Sequence, residues 1–441
     1  MRSTVSSLAC SLLLTATSAF SGVETALEPR QYGTMNSTTI LPPSEDPWYT
    51  APAGFEHAQP GAVLRLRAAP GNLTSITHNT TAAYHILYRT TNSRYKAAWA
   101  VTTLFVPKTP AQPRTNSTGP NTLLSYQIPY DSADVDASPS YALYASPYSD
   151  IGTALGQGWY VNVPDYEGPS ASFTAGVQSG HATLDAVRAV LNTGFGLSPK
   201  TNYAMWGYSG GALASEWAAE LQIQYAPELN FKGAALGGLT PNVTSVLETI
   251  TGTALAGLAP AGILGLASQY PELEQYLQEN LKKTGQYNIT RFYAARNETL
   301  IGSIGAFANQ DITEYFTNGL AALTEPIPMM VTNKDGLMGY HGVPQIPIFA
   351  YKAIKDEVSP VEDTDKLVTR YCEAGANIWY QRNTVGGHSA ESTNGNARAL
   401  QFLTGVLDGV YNSTGCKIEN VTIAISTSPL KRSPLREDLF G

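Results

Sequence analysis

Charge is scarce in this chain. Only 14% of its 441 residues are Asp, Glu, Lys or Arg, against roughly 25% in an ordinary soluble domain. The formal net charge is −8, and no block of Lys and Arg interrupts the body of the sequence. A nucleic-acid partner is therefore not expected. Histidine is sparse as well: the six residues are scattered, and no Cys/His pair has a ligand spacing. Neither a metal site nor any other cofactor is expected. The apolar stretch from Leu255 to Ala267 is broken by Gly257, Pro260 and Gly262, which argues against a membrane span. Internal repeats are lacking too.

Cysteine is almost missing. Cys10 falls in the amino-terminal segment, which leaves Cys372 and Cys416. Two cysteines in an oxidising compartment most simply pair with each other. Such a bridge is expected to tie the segment carrying His388 to a following helical region.

The amino terminus supports that compartment. Arg2 supplies a positive start, Leu8 to Leu14 a short apolar core, and Ala16, Ser18 and Ala19 the small residues after it. This is the pattern of a secretory signal peptide, residues 1–21, with cleavage expected between Ala16 and Gly22. Nine Asn-x-Ser/Thr sequons follow, at Asn36, Asn72, Asn79, Asn116, Asn242, Asn288, Asn297, Asn412 and Asn420. Nine through one chain fit a glycosylated, secreted, extracellular protein.

From Pro42 to about Gly61 the Pro/Gly-rich lead reads as an extended wrap. Ala83 to Tyr88 and Trp99 to Val106 alternate as antiparallel edge strands do. From Asn121 onward apolar runs alternate with helical segments, which implies βαβ crossovers and a parallel sheet. The expected parallel strands are Thr122–Tyr126, Trp159–Val163, Asn202–Trp206, Gly233–Leu236, Pro347–Tyr351 and Asn377–Tyr380, with a helix over His181–Leu191. Residues 238–344 break that rhythm with helical segments and read as a cap or lid over an active site, or else as a plain helical subdomain. The core is then expected to comprise residues 22–237 and 345–426, and residues 427–441 a polar, disordered tail.

Gly207-Tyr208-Ser209-Gly210-Gly211 is the most telling pentapeptide. It lies between the apolar run Tyr203–Trp206 and the helix-forming stretch Ala212–Glu220. That is the strand, sharp turn and helix in which Gly-x-Ser-x-Gly becomes a nucleophile elbow. A serine nucleophile needs a histidine base oriented by a carboxylate, in the chain order Ser, Asp/Glu, His. Two histidines lie downstream of Ser209, His341 and His388. His388 follows a strand by a short loop and is the expected base; His341, at the end of the cap, reads as structural or substrate-lining. Asp356, in the loop after Ile346–Tyr351, is the expected acid. Glu357 is its nearest competitor, and Asp335, Asp363 and Asp365 fit less well. The oxyanion hole is expected at the Gly210 N–H and in the loop after Ser125-Tyr126-Gln127, where Asp131 donates through its backbone N–H or a protonated carboxyl.

In motif order the chain resembles the fungal secretory lipase family. The shared elements are Asp46-Pro47-Trp48-Tyr49, Pro60 to Arg65, Ser125-Tyr126-Gln127, Asp136 to Tyr141, Pro164-Asp165-Tyr166-Glu167-Gly168, Leu184 to Ala189, Gly207 to Gly211 and Gly387-His388. The resemblance implies an α/β-hydrolase fold, with a mixed, mostly parallel sheet and an inserted helical cap. It places the nucleophile, acid and base on Ser209, Asp356 and His388, and the oxyanion aspartate on Asp131. It implies a lipase-like carboxylic ester hydrolase acting on acylglycerols, monomeric, in transient contact with a lipid interface. The apolar segment Leu255 to Leu266 would suit a long acyl chain. The same family includes esterases that remove small acyl groups from secondary metabolites such as trichothecenes, and that reading stays open. A non-catalytic binding module on the same scaffold is the rival from another class. One departure is that Asp136-Ala137-Ser138 lacks a cysteine that family members carry nearby, which implies a cap held less tightly.

Overall fold

The computed structural model describes residues 39–111 and 121–423. The signal segment, Asn36, Asn116 and the tail at 427–441 lie outside them. The first three strands are β1 (Val63–Ala68), β2 (Thr80–Thr91) and β3 (Ala97–Pro107). β2 pairs antiparallel with both β1 and β3, and β3 pairs antiparallel with β5 (Tyr160–Pro164). From there the sheet is parallel: β5, β4 (Thr122–Gln127), β6 (Asn202–Tyr208), β7 (Phe231–Gly237), β8 (Ile348–Ala353), β9 (Ile378–Asn383) and β10 (Cys416–Val421). This is the α/β-hydrolase arrangement.

The central strands read as continuous apolar runs because both of their faces are covered. Alternate residues divide between two cores. Tyr203, Met205, Ala234, Leu236, Ile348 and Ala350 face one, under the helices Gly176–Leu191 and Gly210–Tyr225. Ala204, Trp206, Ala235, Phe349 and Tyr351 face the other, against Asn396–Leu407. The helix expected from His181 begins five residues earlier, at Gly176. Glycine normally weakens a helix, but here packing demands it. A Cβ on Gly176 would lie 1.9 Å from the Trp217 ring, and one on Gly180 would lie 2.8 Å from the Trp217 backbone. Fully buried Trp217 fills the space those two glycines leave.

Two expectations need correction at the carboxy-terminal edge. The parallel set does not end at β9, because β10 adds a further strand along its whole length. Its residues are mostly exposed, so no apolar alternation marks it. The Cys372–Cys416 disulfide accordingly joins the helix Val361–Glu373 to this edge strand, not to a helical region after His388.

Between β7 and β8 the chain forms a helical layer with its own apolar core, built around Leu247, Leu264, Tyr270, Leu277, Phe292 and Tyr315. Hydrogen bonds hold this layer to the sheet domain. Ser93 N–H donates to Gln269 Oε1 (3.1 Å), Gln269 Nε2 to Ser172 Oγ (2.8 Å) and Val177 N–H to Asp335 Oδ1 (2.6 Å). Ser132 Oγ donates to the Glu298 carbonyl at 2.8 Å. At Gly265 a Cβ would lie 2.2 Å from the Phe173 carbonyl oxygen, so the two layers touch backbone to backbone. Buried polar contacts and close packing thus hold the helical layer to the sheet domain.

Candidate active site

Parallel pairing in register brings the carboxyl ends of β4, β6, β7 and β8 to one edge: Gln127 pairs with Gly207, Tyr208 with Gly237, and Gly237 with Tyr351. Ligand sites of open α/β sheets lie at that edge. Asp131, Ser209, Asp356 and His388 all follow a strand there.

Ser209 takes φ 53° and ψ −124° between β6 and its helix, a conformation that a side-chain-bearing residue adopts only under constraint. The constraint is visible on either side. Its N–H donates to the Gly237 carbonyl at 2.9 Å, and its carbonyl accepts from Leu213 N–H at 2.9 Å. A Cβ on Gly207 would meet the Gly211 carbonyl oxygen at 2.1 Å, and one on Gly211 the Gln127 carbonyl oxygen at 2.0 Å. Gly211→Ala is therefore expected to cost about 3 kcal/mol or more, since neither clashing group is a movable side chain. Chemical denaturation reads that loss directly, and a midpoint within experimental error of the parent would show the elbow to be less tight.

His388 Nε2 lies 2.8 Å from Ser209 Oγ, and its Nδ1 lies 2.7 Å from Asp356 Oδ2. The Tyr208 hydroxyl donates to the His388 carbonyl. Asp356 Oδ1 accepts from Val358 N–H at 3.0 Å and Ser359 N–H at 2.9 Å. Glu357 turns elsewhere: its Oε2 accepts the His388 backbone N–H at 2.7 Å. Asp335, Asp363 and Asp365 make other contacts, to Val177 N–H, Lys366 and Arg382. His341 lies with its ring 4.7 Å from that of Trp217 and its Nδ1 3.4 Å from Glu220 Oε1, a structural placement.

One contact has no counterpart in the sequence reading. Lys352 Nζ donates to Asp356 Oδ2 at 2.9 Å and to the Leu239 carbonyl at 2.8 Å. Its side chain is buried. Burial pushes its ammonium down from the ordinary lysine range, and the Asp356 charge opposes that. Burial also pushes Asp356 up, but the charges of His388 and Lys352 and the Ser359 N–H outweigh it, leaving the carboxyl well below the usual range. A lysine inside the otherwise uncharged run Ile348–Ala353 is the signal that could have exposed this pair.

Asp131 has a left-handed backbone, φ 42°. Its Oδ1 is buried without a hydrogen-bond partner, and it lies 1.9 Å from where a Gly210 Cβ would be. Burial pushes this carboxyl up to about 7 against the pull of His388. The loop carrying it is clamped from the motif Pro164–Gly168: Tyr166 Oη donates to the Ile128 carbonyl at 2.8 Å, and Glu167 N–H to Tyr130 Oη at 2.7 Å.

A cavity of about 950 Å³, counting its open mouth, lies over Ser209, Gly210 and Asp131. Leu247, Leu258, Ile263, Leu266, Leu277 and Phe316 from the helical layer line it. Of the apolar segment named above, Leu255 itself does not line the cavity; it is buried in the core of the helical layer. Among the described sequons, Asn72, Asn79, Asn297, Asn412 and Asn420 are exposed. The amides of Asn79 and Asn288 donate to the carbonyls of Gly152 and Gly285, and Asn242 Oδ1 caps the helix Val243–Ile250. No group of acidic, His or Cys side chains suited to a metal occurs among the described residues.

Comparison with known proteins agrees with this architecture. A trichothecene C-3 esterase of Fusarium sporotrichioides is 50% identical over 422 residues, spanning 92% of this chain and 93% of that protein. Lipase 1 of Candida albicans is 36% identical over 405 residues, 86% and 84% of the two chains. The crystal structure of Candida antarctica lipase A in its closed state superposes with a TM-score of 0.79 at 29% identity, covering 91% of this chain and 95% of that one. Residues 148–414 match the family model for secretory lipases. The chain belongs to the secretory lipase family and is a lipase-like carboxylic ester hydrolase.

Proposed function

We propose that Ser209 is the nucleophile, His388 its general base and Asp356 the carboxylate that orients the base. His388 Nε2 takes the Ser209 hydroxyl proton as Oγ attacks the ester carbonyl. The tetrahedral oxyanion is met by the Gly210 N–H and by the protonated Asp131 carboxyl. On collapse, His388 gives the proton to the leaving alcohol and an acyl-enzyme remains. Water, deprotonated by the same imidazole, then releases the carboxylic acid. The observation that carries this reading is the continuous Ser209–His388–Asp356 hydrogen-bond chain, 2.8 and 2.7 Å, at the floor of an apolar cavity.

Asp131 makes the oxyanion step depend on pH. An ionised carboxylate would repel the oxyanion, so kcat/KM should fall as pH rises through about 7, where this group titrates. Asp131→Asn keeps an N–H donor and loses the titration, and its falling limb should vanish. A limb unchanged in the variant would remove Asp131 from the oxyanion hole. The sign for stability is the same. A carboxyl raised by folding contributes fully below its unfolded pKa, and that contribution is lost as pH climbs through the folded value.

For substrate, the aliphatic cap residues over Ser209 support an apolar acyl ester, and we assign lipase-like hydrolysis of acylglycerols. Leu320, Met329 and Met330 are about half exposed at 52%, 46% and 47%, beside cavity-lining Leu323, Pro328 and Thr332. Such an apolar rim suits transient contact with a lipid surface. The second reading is removal of a small acyl group from a trichothecene-like alcohol. Its support is the 50% identity to a protein named for that activity, against 36% to Lipase 1. An acyl series from acetyl to oleoyl esters, run beside an acetylated trichothecene, separates them. Turnover rising with chain length supports the lipase assignment. Strong preference for the acetylated terpenoid, with none for long-chain emulsions, supports the other. The family's name and the sequons support secretion; we assign a monomeric, extracellular enzyme.

A further inference from the structure

We propose that Lys352 is a positioning residue, whose buried charge on Asp356 sets how far into the acid range the Ser209–His388 pair stays active. The proposal rests on the triad assigned above. β8 is buried along its whole length, and Lys352 is the only charged side chain in it. No structural demand of a parallel strand calls for a cation there, since an aliphatic side chain would fill the position without a desolvation penalty. The ammonium instead reaches the carboxyl end of its own strand and contacts the same oxygen, Asp356 Oδ2, that receives His388 Nδ1, at 2.9 and 2.7 Å. The Leu239 carbonyl holds its other side at 2.8 Å.

Two consequences follow from that geometry. Asp356 is gripped at both oxygens, Oδ2 by Lys352 and Oδ1 by the Val358 and Ser359 N–H groups, so the carboxylate cannot rotate away from the imidazole. The positive charge also offsets part of the attraction that Asp356 exerts on a protonated His388. A like charge beside a cation disfavours its protonated form. Lys352 therefore keeps the imidazole available as a base at lower pH than Asp356 alone would allow.

The other groups facing this set are Asp131 after β4, Tyr208 at the end of β6, Glu357 beside Asp356, Asp363 and Asp365 on the helix Val361–Glu373, and Tyr380 on β9. All are acids. The nearby cation Arg382 is engaged with Asp365 at 3.1 Å.

Lys352→Met and Lys352→Gln test the idea together, with kcat and KM measured on a soluble activated ester from acid to neutral pH. The glutamine keeps an N–H for Asp356 and discards the charge; the methionine discards both. Both variants should move the acid limb of kcat/KM to higher pH by about one unit, a tenfold loss at fixed acid pH. Methionine should in addition lower plateau kcat by about tenfold, with KM changed less than about twofold, and glutamine should recover most of that plateau. Circular dichroism and organophosphonate titration on the same samples count folded sites. An acid limb that coincides with the parent's in both variants overturns the proposal. Ser209→Ala run alongside separates the failures: turnover persisting there sinks the triad itself, whereas a dead Ser209→Ala with an unmoved limb sinks only the role of Lys352.

Discussion

Replacing Ser209 by alanine is expected to lower kcat by about four to six orders of magnitude while leaving the fold intact. The hydroxyl is the reacting group, and no other hydroxyl is positioned by the His388 imidazole among the described residues. The backbone at φ 53° and ψ −124° is imposed by the β6 turn and by the glycines around it. Alanine suffers that conformation no more than serine does, so the elbow should survive. Removal of a polar group from a strained site commonly leaves stability unchanged or raised. The measurement is turnover of an activated ester together with a thermal melt. Residual activity within a hundredfold of the parent, in a folded variant, would mean that another group carries the acyl transfer.

Asp356→Asn should lower kcat by about 10⁴ through the wrong histidine tautomer, and here the direction of the amide can be argued atom by atom. Val358 and Ser359 donate to Oδ1, so the asparagine oxygen stays with them. Its NH₂ then replaces Oδ2 and faces two donors, Lys352 Nζ and His388 Nδ1. The imidazole can only accept there, which places its proton on Nε2 and leaves Ser209 without a base. The Lys352 ammonium loses its counter-ion in the same change, and breaking a buried pair costs about 3–5 kcal/mol. Glu357→Gln should stay within about tenfold of the parent, because an amide oxygen can still accept the His388 backbone N–H. If Glu357→Gln were crippling and Asp356→Asn mild, the acid would belong one residue later in the chain.

The order of elements was readable because the chain is locally consistent where it matters. Central strands such as Tyr203–Trp206 are apolar on both faces, and Gly-x-Ser-x-Gly sits between strand and helix as the elbow requires. What escaped was set by tertiary contacts. The first turn of the helix Gly176–Leu191 is glycine-bearing because Trp217 from a neighbouring helix occupies the space, and no local propensity encodes that. Strand β10 is an exposed edge whose residues carry no alternation, so nothing local marks Cys416, the partner of Cys372, as part of a strand. Asp356 and Glu357 are adjacent, and spacing alone could not choose between their side-chain directions. The geometry gives one to the imidazole and the other to the backbone N–H. Lys352 could have been suspected from its place within a buried strand, but its target depends on the turn that returns Asp356 beside it.

Activation of Ser209 as a nucleophile leaves a chemical signature that covalent labelling reads. The protein should be treated with an organophosphonate ester at neutral pH and followed by intact mass and peptide mapping, with residual esterase activity assayed in parallel. One adduct per chain is expected, located on Ser209, formed in step with loss of activity and abolished in Ser209→Ala. Folded protein that takes up no adduct, or an adduct on another residue that tracks the activity loss, would contradict it.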